Sequence, residues 1–512
     1  MSEPWWKSAV VYQIYPRSFC DAGGTGVGDL SGIRQRLDHL VWLGVDALWL
    51  SPFFRSPMAD FGYDVSDYCD VDPLFGSLAD FDRLLESAHS RGLRVLIDWV
   101  PAHTSSEHPW FVEARSRRSS EKRDWYIWRD PPADGSLPNN WRAAFLDLPA
   151  WTFDEATGQY YLHSFLPEQP DLNWANPDLR AAMHDVLRFW LDRGVDGFRA
   201  DVVHNIGKDP SFASLPPERA RIPAGVFNDQ PVTHEYLREI RRLLDSYPGE
   251  RVMVGEVTLS TARVAAYYGR GDELHLNFNF IPMHQPWDGA RWREWVGRAA
   301  EAFEPVDAWP TWVLSNHDTP RHRTRYGSEA RGRAAAVLLL GLRGTPFLYQ
   351  GEELGLEDAV VPEDREVDPG GRDGCRAPLP WDAEAGHGWG AEAWLPFPPE
   401  AGARSVETQR AEPDSVLQLY RRLLRARRGS RALMLGRQVP LEAPEGVLAW
   451  SREADRDVRV VAVNYRAEPR VLGPAFAGRV EVASDGAGEG RSFAGTLGPD
   501  QALVLRPESS RG

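Results

Sequence analysis

The chain reads as an α/β protein on a (β/α)8 TIM barrel, with a subdomain inserted after the third strand and a C-terminal antiparallel β-sandwich. Three observations predict this. Short apolar runs alternate with helix-period segments, the pattern of βα units around a parallel sheet. That alternation stops between about 104 and 174, too long a stretch for an ordinary connection. Beyond residue 433 the texture changes to short β-type runs separated by turn residues.

VVYQIYPRSF, from Val10 to Phe19, supplies the first strand. In SGIRQRLDHLVWLGV, Ile33, Leu37, Leu40, Val41 and Leu43 fall on a helical stripe behind the cap candidate Ser31. DALWLSP is the second strand, and FDRLLESAHSRGLRVLIDWVPAH repeats the unit, with Gly92 breaking helix from strand. The rhythm resumes with LRAAMHDVLRFWLDRGV and GFRADVV, then EYLREIRRLLDSYP and RVMVGEV. ELHLNFNF, TWVLSNHD and TPFLYQGEE complete eight strands, which close naturally into a barrel. The expected division is 1–103 and 175–432 for the barrel, 104–174 for the insert and 433–512 for the sandwich. A Gly, Pro and Asp-rich loop over 352–394 trails the eighth strand.

Composition excludes several functions. The formal charge of −16 argues against nucleic acid, which selects clustered Lys and Arg. The densest basic stretch, Arg115 to Arg123, is broken by Ser and Glu and reads as a solvated helix end. No apolar run is long enough for a membrane span, and MSEPWWKSAVVYQIYP lacks the basic and apolar segments of a signal peptide. Cys20, Cys69 and Cys375 are few and odd in number, which suits a reducing cytoplasm. The 21 tryptophans are expected mostly in the core, with Trp174 a candidate stacking platform for a ligand.

Four apolar runs end in a carboxylate: VLID at Asp98, GFRAD at Asp201, VMVGE at Glu256 and VLSNHD at Asp318. Barrel strands present their carboxyl ends at the reactive face, so four strands deliver four acids to one place. Arg199 and Asp201 share a strand face, and the guanidinium is expected to keep Asp201 ionised as a nucleophile. An apolar surround is expected to hold Glu256 protonated, as a general acid requires. Retaining glycosidases use that division, with Asp318 left to grip sugar hydroxyls and His103 and His317 to hydrogen-bond them.

DWVPAH, GFRADVVH, GEV and SNHD, in this order, resemble the signature regions of the α-amylase superfamily, glycoside hydrolase family 13. QPDLNW at Gln169 to Trp174 and GRDGCRAP at Gly371 to Pro378 narrow the resemblance to the oligo-1,6-glucosidase and α-glucosidase group. It implies Asp201 as nucleophile, Glu256 as acid/base and Asp318 as transition-state stabiliser, with Arg199, His103 and His317 around the cleaved glucose. Asp98 takes a supporting role beneath His103. Tyr63 and Asp64, with Arg376, match residues that close the non-reducing end, and Phe165 resembles an aromatic wall of the same pocket.

The loop SFCDAGGTGVGDL resembles the group's calcium or magnesium loop, but only Asp21 and Asp29 remain as carboxylate ligands. A hard cation wants six or more oxygens, so no cofactor is expected to be required; an ion there would be held weakly with water and the Val27 carbonyl. Ala102 stands before His103 where the family usually has Asn. Val202, after the nucleophile, leans toward α-1,6 bonds in the resembling group, where Ala or Thr leans toward α-1,4. The expected function is a retaining, exo-acting α-glucosidase on short oligosaccharides. A transglucosidase or an isomerase of the sucrose or trehalose type shares all catalytic residues. A non-catalytic transporter subunit of this family would lose the acids and gain a span.

Overall fold

The computed structural model describes residues 3–220 and 229–508; positions 1–2, 221–228 and 509–512 of the expected ranges lie outside the described residues. The strands β1 (Val11–Ile14), β2 (Ala47–Leu50), β3 (Arg94–Trp99) and β4 (Gly197–Ala200) are followed by β5 (Val252–Gly255), β6 (Leu276–Asn277), β7 (Thr311–Val313) and β8 (Thr345–Tyr349). They form one parallel sheet in the order β6-β5-β4-β3-β2-β1-β8-β7. At the seam between its ends the Thr311 hydroxyl donates to the Asn277 carbonyl at 2.6 Å. The first strand is shorter than expected, because Pro16 opens a 3-10 turn over Pro16–Ser18.

Alternation along each strand explains what reaches the barrel mouth. Val11, Ala47, Trp49, Leu96, Val252, Val254, Val313 and Phe347 pack together inside the ring. Their strand neighbours Tyr12, Leu48, Val95 and Ile97 turn outward into the larger core. Two residues beyond Leu96 on the same side is Asp98, and two beyond Val254 is Glu256. Helix Leu78–His89 starts on a Ser77–Asp80 capping box and buries Phe81, Leu84, Leu85 and Ala88. Helix Pro177–Arg193 has an Asn176 cap and ends at Gly194, whose φ of 100° suits glycine.

The insert holds a three-stranded antiparallel sheet of Trp128–Arg129, Gln159–Leu162 and Trp151–Asp154. The basic stretch is the exposed end of helix Pro109–Ala114, as expected, and it also braces this sheet: Arg115 pairs with Asp154 at 2.7 Å and Arg118 with Asp130 at 2.9 Å. Arg123 lies 3.4 Å over the Trp128 ring. A bridge between His103 and Asp171 returns the insert to the barrel. Trp174 is core and not a stacking platform, buried with its indole N–H on the Pro101 carbonyl at 2.7 Å.

At the C-terminal end, β9 (Arg437–Pro440), β10 (Val447–Ala454), β11 (Asp457–Asn464), β12 (Arg479–Ala483) and β13 (Ala502–Arg506) form an antiparallel sheet ordered β9-β10-β11-β13-β12. Val447, Ala449, Val460 and Ala462 pack with Leu497 of a second, two-stranded sheet and with Leu472 just beyond its other strand. Leu448, Trp450, Val461 and Val463 turn the other way, into the barrel core. Among the described residues no helix is long and apolar enough to cross a membrane.

Candidate active site

The carboxyl ends of β3, β4 and β5 meet at a single guanidinium. Asp98 and Arg199 are register partners across β3 and β4. The Asp201 amide extends that ladder to the Trp99 carbonyl at 2.9 Å, and the Glu256 amide extends the next one to the Ala200 carbonyl at 2.8 Å. Arg199 Nη1 donates to Asp98 Oδ1 at 2.7 Å and to Asp201 Oδ1 at 2.8 Å, while Nη2 binds Glu256 Oε2. The chain then bends sharply: Val202 has φ 32°, an outlier for a β-branched residue, and its N–H faces Glu256 Oε2 at 3.4 Å.

This arrangement changes the expected electrostatics. Burial drives the Asp201 carboxyl upward; Arg199 draws it down, and Glu256 and Asp98 raise it again, so it stands well above the ordinary carboxylate range. Arg199 therefore does not by itself keep Asp201 ionised. Nor is the surround of Glu256 apolar, since Arg199 occupies it. One guanidinium serves three carboxylates. Burial raises Asp98 to about 6 against the pull of Arg199. Asp98 contacts Arg199, the Trp49 indole N–H and the Tyr63 hydroxyl, so its place is beside Arg199 and not beneath His103.

A cavity of about 430 Å³ opens over this cluster, with Asp201, Glu256, Asp318, Tyr63, His103 and Phe165 in its wall. Burial alone would raise Asp318, but His317, Arg372, Arg376 and Arg199 outweigh it and hold the carboxyl well below its usual range. Arg372 and Arg376 each donate to Asp318 Oδ1 at 3.0 Å. His317 is lowered to about 3 by burial and is neutral. Gln13 Nε2 donates to its Nδ1 at 2.8 Å, leaving Nε2–H for the Tyr63 hydroxyl at 2.7 Å and Asp318 Oδ2 at 3.2 Å. The Phe165 ring stands edge-on to His103 at 5.2 Å.

Asp64 and Arg376 lie one layer behind this wall. Asp64 is fully buried and accepts from the Ala59 amide at 2.8 Å, the Asp60 amide at 3.0 Å and the Ser56 hydroxyl at 2.9 Å. Arg376 is fully buried against the His317 carbonyl at 2.8 Å. The residues that do reach the cavity are Asp60 and Arg372, paired at 2.7 Å, and sequence reading passed over both. Asp60 opens DFGYD and Arg372 opens RDGCR, so each motif carried the signal of a charged residue four positions upstream. Asp368, from the loop over 352–394, braces Arg372 at 2.6 Å and Arg376 at 3.3 Å. Burial pushes the Cys375 thiol up to about 12, which suits a spacer and not a nucleophile.

The loop from Asp21 to Asp29 does not fit a cation. Asp21 Oδ1 accepts from the Gly24 amide at 2.7 Å and Oδ2 from the Gly26 amide at 2.8 Å; Asp29 Oδ2 accepts from the Gly23 amide at 2.9 Å and Oδ1 from the Gly32 amide at 2.7 Å. Main-chain N–H groups thus point at the lone pairs a metal ion would use. Among the described residues no group of three or more His, Cys, Asp or Glu is placed to hold one.

The catalytic-domain profile described as "Alpha amylase, catalytic domain" matches residues 13–436. A probable α-glucosidase of Rhizobium meliloti is 42% identical over 88% of this chain and 87% of its own. An oligo-1,6-glucosidase of Parageobacillus thermoglucosidasius is 36% identical over 91% of both chains. Among solved structures, an α-glucosyl transfer enzyme, XgtA, superposes with a TM-score of 0.91 at 43% identity, covering 99% of this chain and 100% of the other. The trehalulose synthase MutB of Pseudomonas mesoacidophila does so with a TM-score of 0.93 at 34% identity, over 99% and 100%. The barrel, its ring of acids and these matches together establish that the chain belongs to the α-amylase family of glycoside hydrolases.

Proposed function

We propose that this glycoside hydrolase is a retaining, exo-acting α-glucosidase that releases glucose from the non-reducing end of short α-1,4- or α-1,6-linked oligosaccharides. The observation that carries the reading is Asp201 and Glu256 seated on the two terminal nitrogens of Arg199, at one cavity. That pairing supports the short separation of retaining enzymes over the wider gap that lodges a water between inverting carboxyls. The Asp201 carboxylate attacks the anomeric carbon, and the glycosidic C–O bond breaks as Glu256 gives its proton to the leaving oxygen. Water then loses a proton to Glu256 while its oxygen displaces the Asp201 ester, returning glucose in its original configuration.

Asp318, anionic throughout, faces the positive charge that develops on the sugar. Neutral His103 and His317, with Tyr63 and Phe165, frame the ring. The Asp60–Arg372 pair takes the place expected for Asp64 and Arg376 in closing the inner end, which supports exo action. A cytoplasmic setting is part of the same reading, supported by three free cysteines, two of them buried.

The α-glucosyl transfer enzyme and the trehalulose synthase favour one second reading, in which a sugar or alcohol hydroxyl replaces water in the second step. Product analysis on maltose, isomaltose, sucrose and trehalose separates the two. Glucose release is the expected result, and an isomeric disaccharide with little free glucose would reject hydrolysis. Glu256→Gln and Asp201→Asn should each lower kcat by roughly 100- to 10 000-fold. Near wild-type turnover in either would remove the assigned mechanism.

A further inference from the structure

Gln169, in the QPDLNW stretch, is fully buried between two residues of the cavity wall. Its Oε1 accepts from the Leu166 amide at 3.1 Å, which fixes which end of the side-chain amide is oxygen. The Nε2 end therefore faces inward, donating to Asp60 Oδ2 at 3.1 Å and meeting His103 Nε2 at 3.1 Å. The Tyr63 carbonyl lies on that same imidazole nitrogen, also at 3.1 Å. Burial lowers His103 to about 4, so the neutral ring carries a single N–H. Nε2 can accept from Gln169 or donate to Tyr63, and the buried Nδ1 has no hydrogen-bond partner among the described residues.

Through Asp60 the chain of contacts continues to Arg372 at 2.7 Å and on to Asp318 at 3.0 Å. We infer that Gln169 is a positioning residue that sets the orientation of His103 in the cavity wall and fixes which of its ring nitrogens carries the proton. It acts through His103 and touches no reacting atom. The inference rests on the glucosidase reading, because His103 and Asp60 matter here as groups that meet the sugar.

A double-mutant cycle on a glucoside substrate tests it. Gln169→Leu should lower kcat/KM by roughly 10- to 100-fold, the scale of a small misplacement in a site. In a His103→Ala background the same change should cost less than about 3-fold, since the group it positions is gone. An equal loss in both backgrounds, or no loss in either, would overturn the inference. Gln169→Glu, which keeps the shape of the side chain, supplies the second arm. Its introduced carboxylate faces Asp60, so the deficit should shrink as pH falls and that carboxyl takes up a proton. A deficit constant with pH contradicts the inference. If Asp201→Asn and Glu256→Gln abolish turnover while the cycle proves additive, the glucosidase reading stands and only the role of Gln169 falls.

Discussion

Four positions separate Asp60 from Asp64, and the backbone between them decides which one meets the sugar. Met58, Phe61 and Gly62 all have positive φ, at 68°, 49° and 108°, so the chain reverses and throws Asp60 into the cavity while Asp64 ties the turn from behind. Local sequence carries no clear signal for such reversals when the residues are Met and Phe, which is why Asp64 was legible as part of a motif and Asp60 was not. The same displacement by four recurs between Arg376 and Arg372. Asp60→Asn is therefore expected to raise KM with little change in Tm. Asp64→Ala should cost about 1–3 kcal/mol of stability by orphaning buried amides. Steady-state kinetics beside urea denaturation would show the ordering, and the reverse ordering would contradict this placement.

At the scale of elements, apolar runs and the breakers between them made the barrel readable. The acids were readable because inward and outward residues alternate along a strand, so an inward Leu96 or Val254 forecasts an inward acid two places on. What escaped is non-local. The three-stranded sheet of the insert is made of scattered short segments held by Arg115, Arg118 and Arg123, and no periodicity announces it. The sharing of Arg199 by three carboxylates likewise depends on strand register, which links residues up to 101 positions apart. The terminal sheet docks through Trp450, whose indole N–H reaches the Gly341 carbonyl at 3.0 Å at the end of helix Glu329–Gly341, between β7 and β8. Trp450→Ala should cost about 3–5 kcal/mol while leaving KM unchanged. Chemical denaturation beside kinetics checks this, and an unchanged midpoint would remove Trp450 from the interface.

For the whole molecule, buried histidines set the acid limit. Burial lowers His39, His108, His275 and His317 to about 3, and His103 and His204 to about 4. These rings are neutral in the fold, whereas the unfolded chain binds protons below about pH 6.5. Their contribution is complete above pH 6.5 and is lost progressively as pH falls toward 4 and 3. Carboxyls raised by burial work the other way over part of that window, Asp98 at about 6 and Glu353 at about 7, with Asp60, Asp64, Asp201 and Asp358 also raised, and they are outnumbered by the lowered histidines. Tm is expected to fall steeply below pH 6.5. His39, packed between Trp42 and Trp381 with neither ring nitrogen hydrogen-bonded among the described residues, is the clearest single contributor. His39→Phe should gain about 2 kcal/mol on the wild type between pH 7 and pH 5. Parallel Tm–pH curves for the two proteins would contradict that assignment.

Retention through Asp201 and Glu256 is the claim on which the functional reading turns, and it leaves a stereochemical mark. Proton NMR of the glucose first released from an α-glucoside, recorded before mutarotation, reads that mark directly. The α-anomer should appear first, with β-glucose growing in only as the anomers equilibrate; β-glucose appearing first would contradict the shared-guanidinium mechanism.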